Sequence, residues 1–242
     1  MDRLLGGGLL RGNLYAVVGV PGAGKTILGN QVCFAQAATG GQAVYITLLA
    51  ETHGHMLAHL RALIFFNPAP VGVALLYYSG YHALESGGLD GLLTFLRDVM
   101  RDDKVTLLVV DGLFTANEAA ASALAFRTFL VGLQTYGAAV GCTTILLTQP
   151  PEAGVRDPSY TVVDGLIELG TTRLGPRVAR ELEVHKFRGG SYLRGRHVFE
   201  ISDAGITVHP RIEATLRVRT RITLSNLKTS PSEARPDGCI LC

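Results

Sequence analysis

Apolar and polar positions alternate along the first 150 residues with two different periods. Leu14-Tyr15-Ala16-Val17-Val18 is a short apolar run that stops at Gly19, the pattern of a buried strand. Helical spacing follows from Thr26 to Ala38. Ala43-Val44-Tyr45-Ile46-Thr47 predicts the second strand, and Met56, Leu57, Leu60, Leu63 and Ile64 recur at helical spacing. Asn67-Pro68-Ala69-Pro70 ends that helix, because proline cannot continue it. Strands are then predicted at Val73–Tyr78, Val105–Val110 and Thr144–Thr148. Between them lie an apolar stripe at Leu89, Leu92, Leu93, Leu96 and Val99, and a helix from about Ala119 to Tyr136. Strands in strict alternation with helices specify a mostly parallel sheet flanked by helices, an α/β fold.

The pattern changes after Pro150-Pro151. Val162–Leu169 and Ala179–Phe187 read as strands joined by a turn at Gly175-Pro176. Val198–Ile201 and Ile206–His209 form a shorter pair around Asp203-Ala204-Gly205. These predict a C-terminal antiparallel β-meander at one edge of the sheet. From about Ala214 the chain is rich in Arg, Thr and Ser, and a weakly ordered tail is expected over residues 213–242.

The turn after the first strand carries the chemistry. Gly19-Val20-Pro21-Gly22-Ala23-Gly24-Lys25-Thr26 fits G-x-x-x-x-G-K-[ST] at every fixed position, between a strand and a helix. Glycines let the backbone wrap a polyphosphate and turn its N–H groups inward. The following helix aims its positive end at the same phosphates. Gly22, Ala23, Gly24, Lys25, Thr26 and Ile27 form the expected binding stretch for ATP, with Lys25 on the β- and γ-phosphates. The Thr26 hydroxyl is a hard oxygen ligand for Mg²⁺. Asp111 closes the fourth strand and is the expected second metal-site residue, held to Mg²⁺ through water. Glu51 has two readings: a general base that orients the attacking water, or an acid favoured at the start of the next helix. Gln149, at the end of the fifth strand, is either a γ-phosphate sensor or a plain turn residue.

Composition narrows the picture modestly. The chain has 242 residues and 22 Lys and Arg against 20 Asp and Glu, a net charge of +2. That balance does not by itself point to nucleic acid. No apolar run reaches the roughly 18–20 residues needed to span a bilayer, and the N-terminus has no apolar signal core. A cytoplasmic protein is expected, with no membrane partner. Cys33 and Cys142 read as small core residues. Cys239-Ile240-Leu241-Cys242 offers two thiols, too few to close a zinc site.

Several motifs together resemble one family. Asp2-Arg3-Leu4-Leu5-Gly6-Gly7-Gly8-Leu9 with Gly12 resembles the opening signature of KaiC/RadA-type ATPases, and the P-loop follows at that family's spacing. Glu183-Val184-His185-Lys186-Phe187-Arg188-Gly189 resembles its E-x-x-K-x-R-G segment, and Ser202-Asp203-Ala204-Gly205-Ile206 its T-D-x-G-I turn. The resemblance spans roughly residues 2 to 212 and implies a RecA-like P-loop ATPase domain over 1–212. It further implies a ring homo-oligomer, usually a hexamer, with ATP between neighbours. Lys186 and Arg188 would then reach the γ-phosphate of the next subunit, as cations supplied in trans. Phe187, Tyr192, Ser202 and Asp203 would join them on the neighbour's nucleotide. Without the resemblance, Lys186, Arg188, Arg194 and Arg196 read as a solvated basic edge. This chain departs from the family's clock protein at Ala50, where the latter has a second acid beside Glu51, and at Gly190 and Tyr192. Its single ATPase copy does not support the clock protein's dual ring or autophosphorylation, and with a start inside the signature and an unmatched tail after Ala214 a fragment or truncated reading frame is expected.

The expected function is Mg-dependent ATP hydrolysis with a regulatory or signalling role and possible protein partners. Two alternatives stand beside it: a RadA-like DNA-dependent ATPase, disfavoured because no DNA-binding module precedes the core, and an ATP-driven scaffold that does not hydrolyse. A P-loop kinase would need an acceptor pocket with a lid, and no such segment is evident.

Overall fold

A computed structural model describes residues 1–49, 53–150 and 158–212, apart from the side chains of His53 and Leu174. The elements follow as β1 (Leu14–Gly19), α1 (Lys25–Ala38), β2 (Ala43–Thr47), α2 (His53–Leu60), β3 (Leu75–Ser79) and α3 (Tyr81–Asp102). Next come β4 (Leu107–Asp111), α4 (Leu113–Glu118), α5 (Ala123–Val140) and β5 (Thr143–Thr148). The meander strands are β6 (Gly165–Leu174), β7 (Arg177–Phe187), β8 (Arg196–Ser202) and β9 (Gly205–His209).

They form one nine-stranded sheet in the order β3-β2-β4-β5-β1-β6-β7-β8-β9. Every pairing from β3 to β6 is parallel, and the pairings from β6 to β9 are antiparallel. The central strands β1, β2, β4 and β5 are buried at every position, which is why they read as unbroken apolar runs rather than alternating ones. Leu28, Cys33 and Phe34 of α1 pack on one face with Tyr15, Val17 and Tyr45. On the other face, Leu92 and Leu96 of α3 and Phe126, Phe129 and Leu133 of α5 pack against Ala16, Val18 and Val110. The sheet is thus covered on both sides, and β1 leads from the middle of this sandwich into the Gly-rich turn.

The predicted elements shift in three places, each for a local reason. The strand expected at Val73–Tyr78 starts two residues later. The N–H groups of Val73, Ala74 and Leu75 all point to the Pro70 carbonyl in a tight turn, and Val73 is 73% exposed. The helix through Met56 ends at Leu60, ahead of Ile64, whose N–H is bonded to the Asp203 carbonyl at 2.7 Å. The helix expected from about Ala119 to Tyr136 starts at Ala123, and a separate short helix, α4, ends before it at Glu118. Ser122 is extended and its hydroxyl accepts a bond from the Ala125 N–H at 3.1 Å, so it caps a fresh start at Ala123. The tail beyond residue 212, with Cys239 and Cys242, lies outside the described residues.

Ser122 is exposed and its hydroxyl has this one role. Ser122→Ala is expected to cost about 1 kcal/mol in urea unfolding through loss of the cap. A change within a few tenths of a kcal/mol would show that α5 starts independently of it.

Candidate functional site

The site is built at the carboxyl ends of β1 and β4. After β1 the chain turns through Gly22 (φ 78°) and Gly24 (φ 103°), both left-handed, and enters α1 at Lys25. Gly24 is required twice over. Its φ disfavours any side chain, and a Cβ there would lie 2.7 Å from Ile201 Cδ1 of β8. The meander therefore packs directly against the loop. No side chain caps α1, so its first-turn N–H groups, from Lys25 to Ile27, have no intrahelical acceptor and face the loop mouth.

Lys25 lies across the loop, its Nζ donating to the carbonyls of Gly19 (2.6 Å) and Val20 (3.1 Å). Burial lowers its pKa, and the negative charge of Asp111 opposes that effect. Thr26 and Asp111 meet as expected: the Thr26 hydroxyl donates to Asp111 Oδ2 at 2.9 Å, and Asp111 is buried at the end of β4. A hydroxyl and a carboxylate that converge beside a glycine turn and an uncapped helix start are hard oxygen donors next to an anion cradle. The donor set fits Mg²⁺ with a polyphosphate. Elsewhere, Glu168, Glu183 and His185 gather ligand atoms within 4.8 Å of one another. Those groups are already engaged, His185 with Glu168 at 2.7 Å and Glu183 with Arg196 at 3.2 Å.

Two contacts at the site were not legible as chemistry in the sequence. Tyr45 of β2 donates its hydroxyl to the same Asp111 Oδ2 at 2.5 Å. Arg180 of β7 donates to the Gly22 carbonyl at 2.9 Å and so brings a cation to the loop from the meander. The first hides inside an apolar strand run, and the second follows from a pairing no local pattern reveals.

Strand direction sorts the remaining residues. β6 runs parallel to β1 and β7 returns antiparallel, so Phe187 pairs with Gly165, beside Tyr15 near the amino end of β1. Arg188 follows at the level of Leu14, since its N–H bonds the Asp164 carbonyl and the Asp164 N–H bonds the Leu14 carbonyl. The length of β1, roughly 17 Å at ~3.3 Å per residue, separates that level from Gly19. Lys186 Nζ donates to the Thr161 carbonyl at 2.8 Å, and Arg188 lies 3.5 Å from the Asp164 carboxylate. Burial lowers the Lys186 pKa, and the adjacent Arg188 charge lowers it further. These two cations are out of reach of their own chain's P-loop. Phe187 is a core residue stacked on Tyr15, with Tyr192 edge-on to it, so what Phe187 can offer a ligand is its backbone.

Ser202 and Asp203 are at the other end. β8 runs back toward the carboxyl ends, and its hairpin with β9 brings Ile201 and Ile206 onto Gly24. The resemblance grouped Ser202 and Asp203 with Lys186 and Arg188 on a neighbour's nucleotide, whereas the fold parts the two sets: the hairpin that carries the former packs on this chain's own α1, with the Asp203 carbonyl accepting from the Ile64 N–H at 2.7 Å. Gln149 follows β5 at the same carboxyl end and lines a cleft with Phe114, Asn117, Thr148 and Tyr160, on the side of the sheet away from α1. Glu51 lies outside the described residues. Among the described residues, no helix is long and apolar enough to cross a membrane.

Comparison with known proteins agrees with this geometry. The family model for the KaiC ATPase matches residues 1–64 and 78–213. A UPF0273 protein of Methanopyrus kandleri is 29% identical over 232 residues, covering 87% of this chain and 89% of its own. A UPF0273 protein of Pyrococcus horikoshii is 28% identical over 230 residues, with 87% and 91% covered. Among solved structures, a KaiC-like protein of Pyrococcus horikoshii superposes with a TM-score of 0.74 at 22% identity, over 87% of this chain and 95% of that one. The last likeness establishes the fold, a RecA-like P-loop domain, and the family match covers most of the length. This chain belongs to the KaiC ATPase family.

Proposed function

We propose that the chain binds Mg·ATP at the Gly19–Thr26 turn and hydrolyses it, and that Lys186 and Arg188 of one copy complete the site of another. The observation that carries the first part is the Thr26–Asp111 hydrogen bond at 2.9 Å beside the glycine turn. It brings two hard oxygen donors together where the loop amides would hold phosphate.

Each residue has a distinct task in this reading. Lys25 exchanges its loop carbonyls for the β- and γ-phosphate oxygens. The amides from Gly22 to Ile27 hold the phosphate chain. Thr26 and Asp111 hold the metal, which when bound neutralises charge that builds on the phosphates. Glu51, on the segment after β2, orients the attacking water and receives its proton. Arg180, already on the Gly22 carbonyl, adds positive charge in cis. The trans role of Lys186 and Arg188 is supported by their position near the amino end of β1, one strand length from their own loop. Cations on a neighbouring copy stabilise charge developing in the transition state.

Phosphate release by Lys25→Ala and Glu51→Gln is expected to fall by on the order of a hundredfold or more. Rates equal to wild type in both variants would remove the hydrolysis reading. The trans role has its own test, in which Lys25→Ala protein is mixed with Arg188→Ala protein. The first has an intact finger and the second an intact loop, so mixing is expected to restore turnover that neither has alone. Sizing with and without ATP must show assembly under the same conditions. A mixture as inactive as its parts, in assembled protein, rejects completion in trans.

A further inference from the structure

Tyr45 is fully buried in the middle of β2, between strands β3 and β4. A tyrosine hydroxyl in such a place needs a partner, and many would bond a backbone carbonyl. This one donates to Asp111 Oδ2, the oxygen that also accepts the Thr26 hydroxyl. Tyr45 is held from the side by the Tyr77 ring at 5.7 Å. A Cβ on Gly29 of α1 would sit 3.3 Å from its Cε2, so that glycine leaves the room the ring fills. The ring cannot swing away without disturbing both the helix and the edge strand.

We infer that Tyr45 is a positioning residue for the magnesium site: its hydroxyl fixes the Asp111 carboxylate so that Oδ2 is satisfied from within the protein and Oδ1 is directed to the metal's water shell. The inference rests on the Mg·ATP reading of this turn. Two hydroxyl donors on one oxygen, from β2 and from α1, determine the rotation of the carboxylate about its Cβ–Cγ bond. With Thr26 alone the carboxylate can pivot about a single contact, and Thr26 is itself needed as a ligand. The Tyr45 hydroxyl touches neither metal nor nucleotide and acts only through Asp111, as outer partners of metal ligands do.

The test measures nucleotide binding rather than turnover. Fluorescent ATP is titrated into wild type, Tyr45→Phe and Tyr15→Phe, first in EDTA and then at increasing Mg²⁺. Tyr15 is a control: it is also a buried tyrosine of the sheet, and its hydroxyl accepts from the Leu10 N–H at 2.8 Å, away from the loop. Tyr45→Phe is expected to raise the Mg²⁺ concentration at half-saturation by roughly tenfold and to leave affinity in EDTA unchanged. Tyr15→Phe is expected to keep the wild-type Mg²⁺ requirement, whatever it loses in thermal stability. An unchanged or lowered Mg²⁺ requirement in folded Tyr45→Phe overturns the inference, as does an equal shift in both variants. Should Tyr45→Phe fail to fold, 3-fluorotyrosine placed at position 45 alone keeps the hydroxyl and the shape. Its ¹⁹F resonance must move when Mg²⁺ is added to the ATP-bound protein, and a resonance that stays fixed rejects the role. Wild type that binds no ATP under any condition removes the Mg·ATP reading itself, a result distinct from a variant-specific failure.

Discussion

The carboxylate of Asp111 joins parts of the molecule that sequence keeps far apart. It ends β4, accepts a bond from the second residue of α1 and accepts another from the middle of β2. Its own backbone carbonyl accepts from the Leu48 N–H at 2.9 Å, just beyond β2. A buried charge is tolerated only when it is hydrogen-bonded, and these hydroxyls meet that condition without cancelling the charge. The glycine turn, the start of α1 and the ends of two strands are therefore fixed relative to one another by one acidic group. The packing on both faces of the sheet keeps those strands from shifting.

Nearly all of the architecture was legible from hydrophobic periodicity, because buried parallel strands and amphipathic helices leave different spacings in the chain. The errors fell at boundaries, where a turn or cap of a few residues decides the outcome. Ser122 is an ordinary serine until its hydroxyl is seen on the Ala125 amide, and Val73 is an ordinary strand former until Pro70 gathers the amides around it. The phosphate turn was legible because all of its parts are adjacent in sequence. Tyr45 was not, because its partner is 66 residues away and its neighbours Val44 and Ile46 make it look like core. Arg180 was missed for a related reason: its contact with Gly22 spans 158 residues and depends on the pairing of three strands, β1, β6 and β7.

Strand direction supplied what motif matching could not. A motif preserves the order of residues but not which end of a sheet each reaches. Lys186 and Arg188 end a strand that runs away from the P-loop, while Ser202 and Asp203 end one that runs back toward it. The meander thus turns one contiguous stretch of about 20 residues into two surfaces at opposite ends of the fold, roughly a strand length apart. One surface belongs with the chain's own loop, through Ile201 and Ile206 on Gly24. The other, with Lys186 and Arg188, is the one proposed above to meet a second copy.

The posture of Lys25 carries a further consequence. Its ammonium is half-buried and leans on two carbonyl dipoles, a weaker partnership than the full anionic charge of the phosphate chain proposed for this turn. In the proposed reading, part of the loss of hydration is thereby charged to folding instead of to ligand capture. A half-buried cation held only by carbonyls adds less to folding than it would to the capture of an anion, so in that reading the lysine trades durability for affinity.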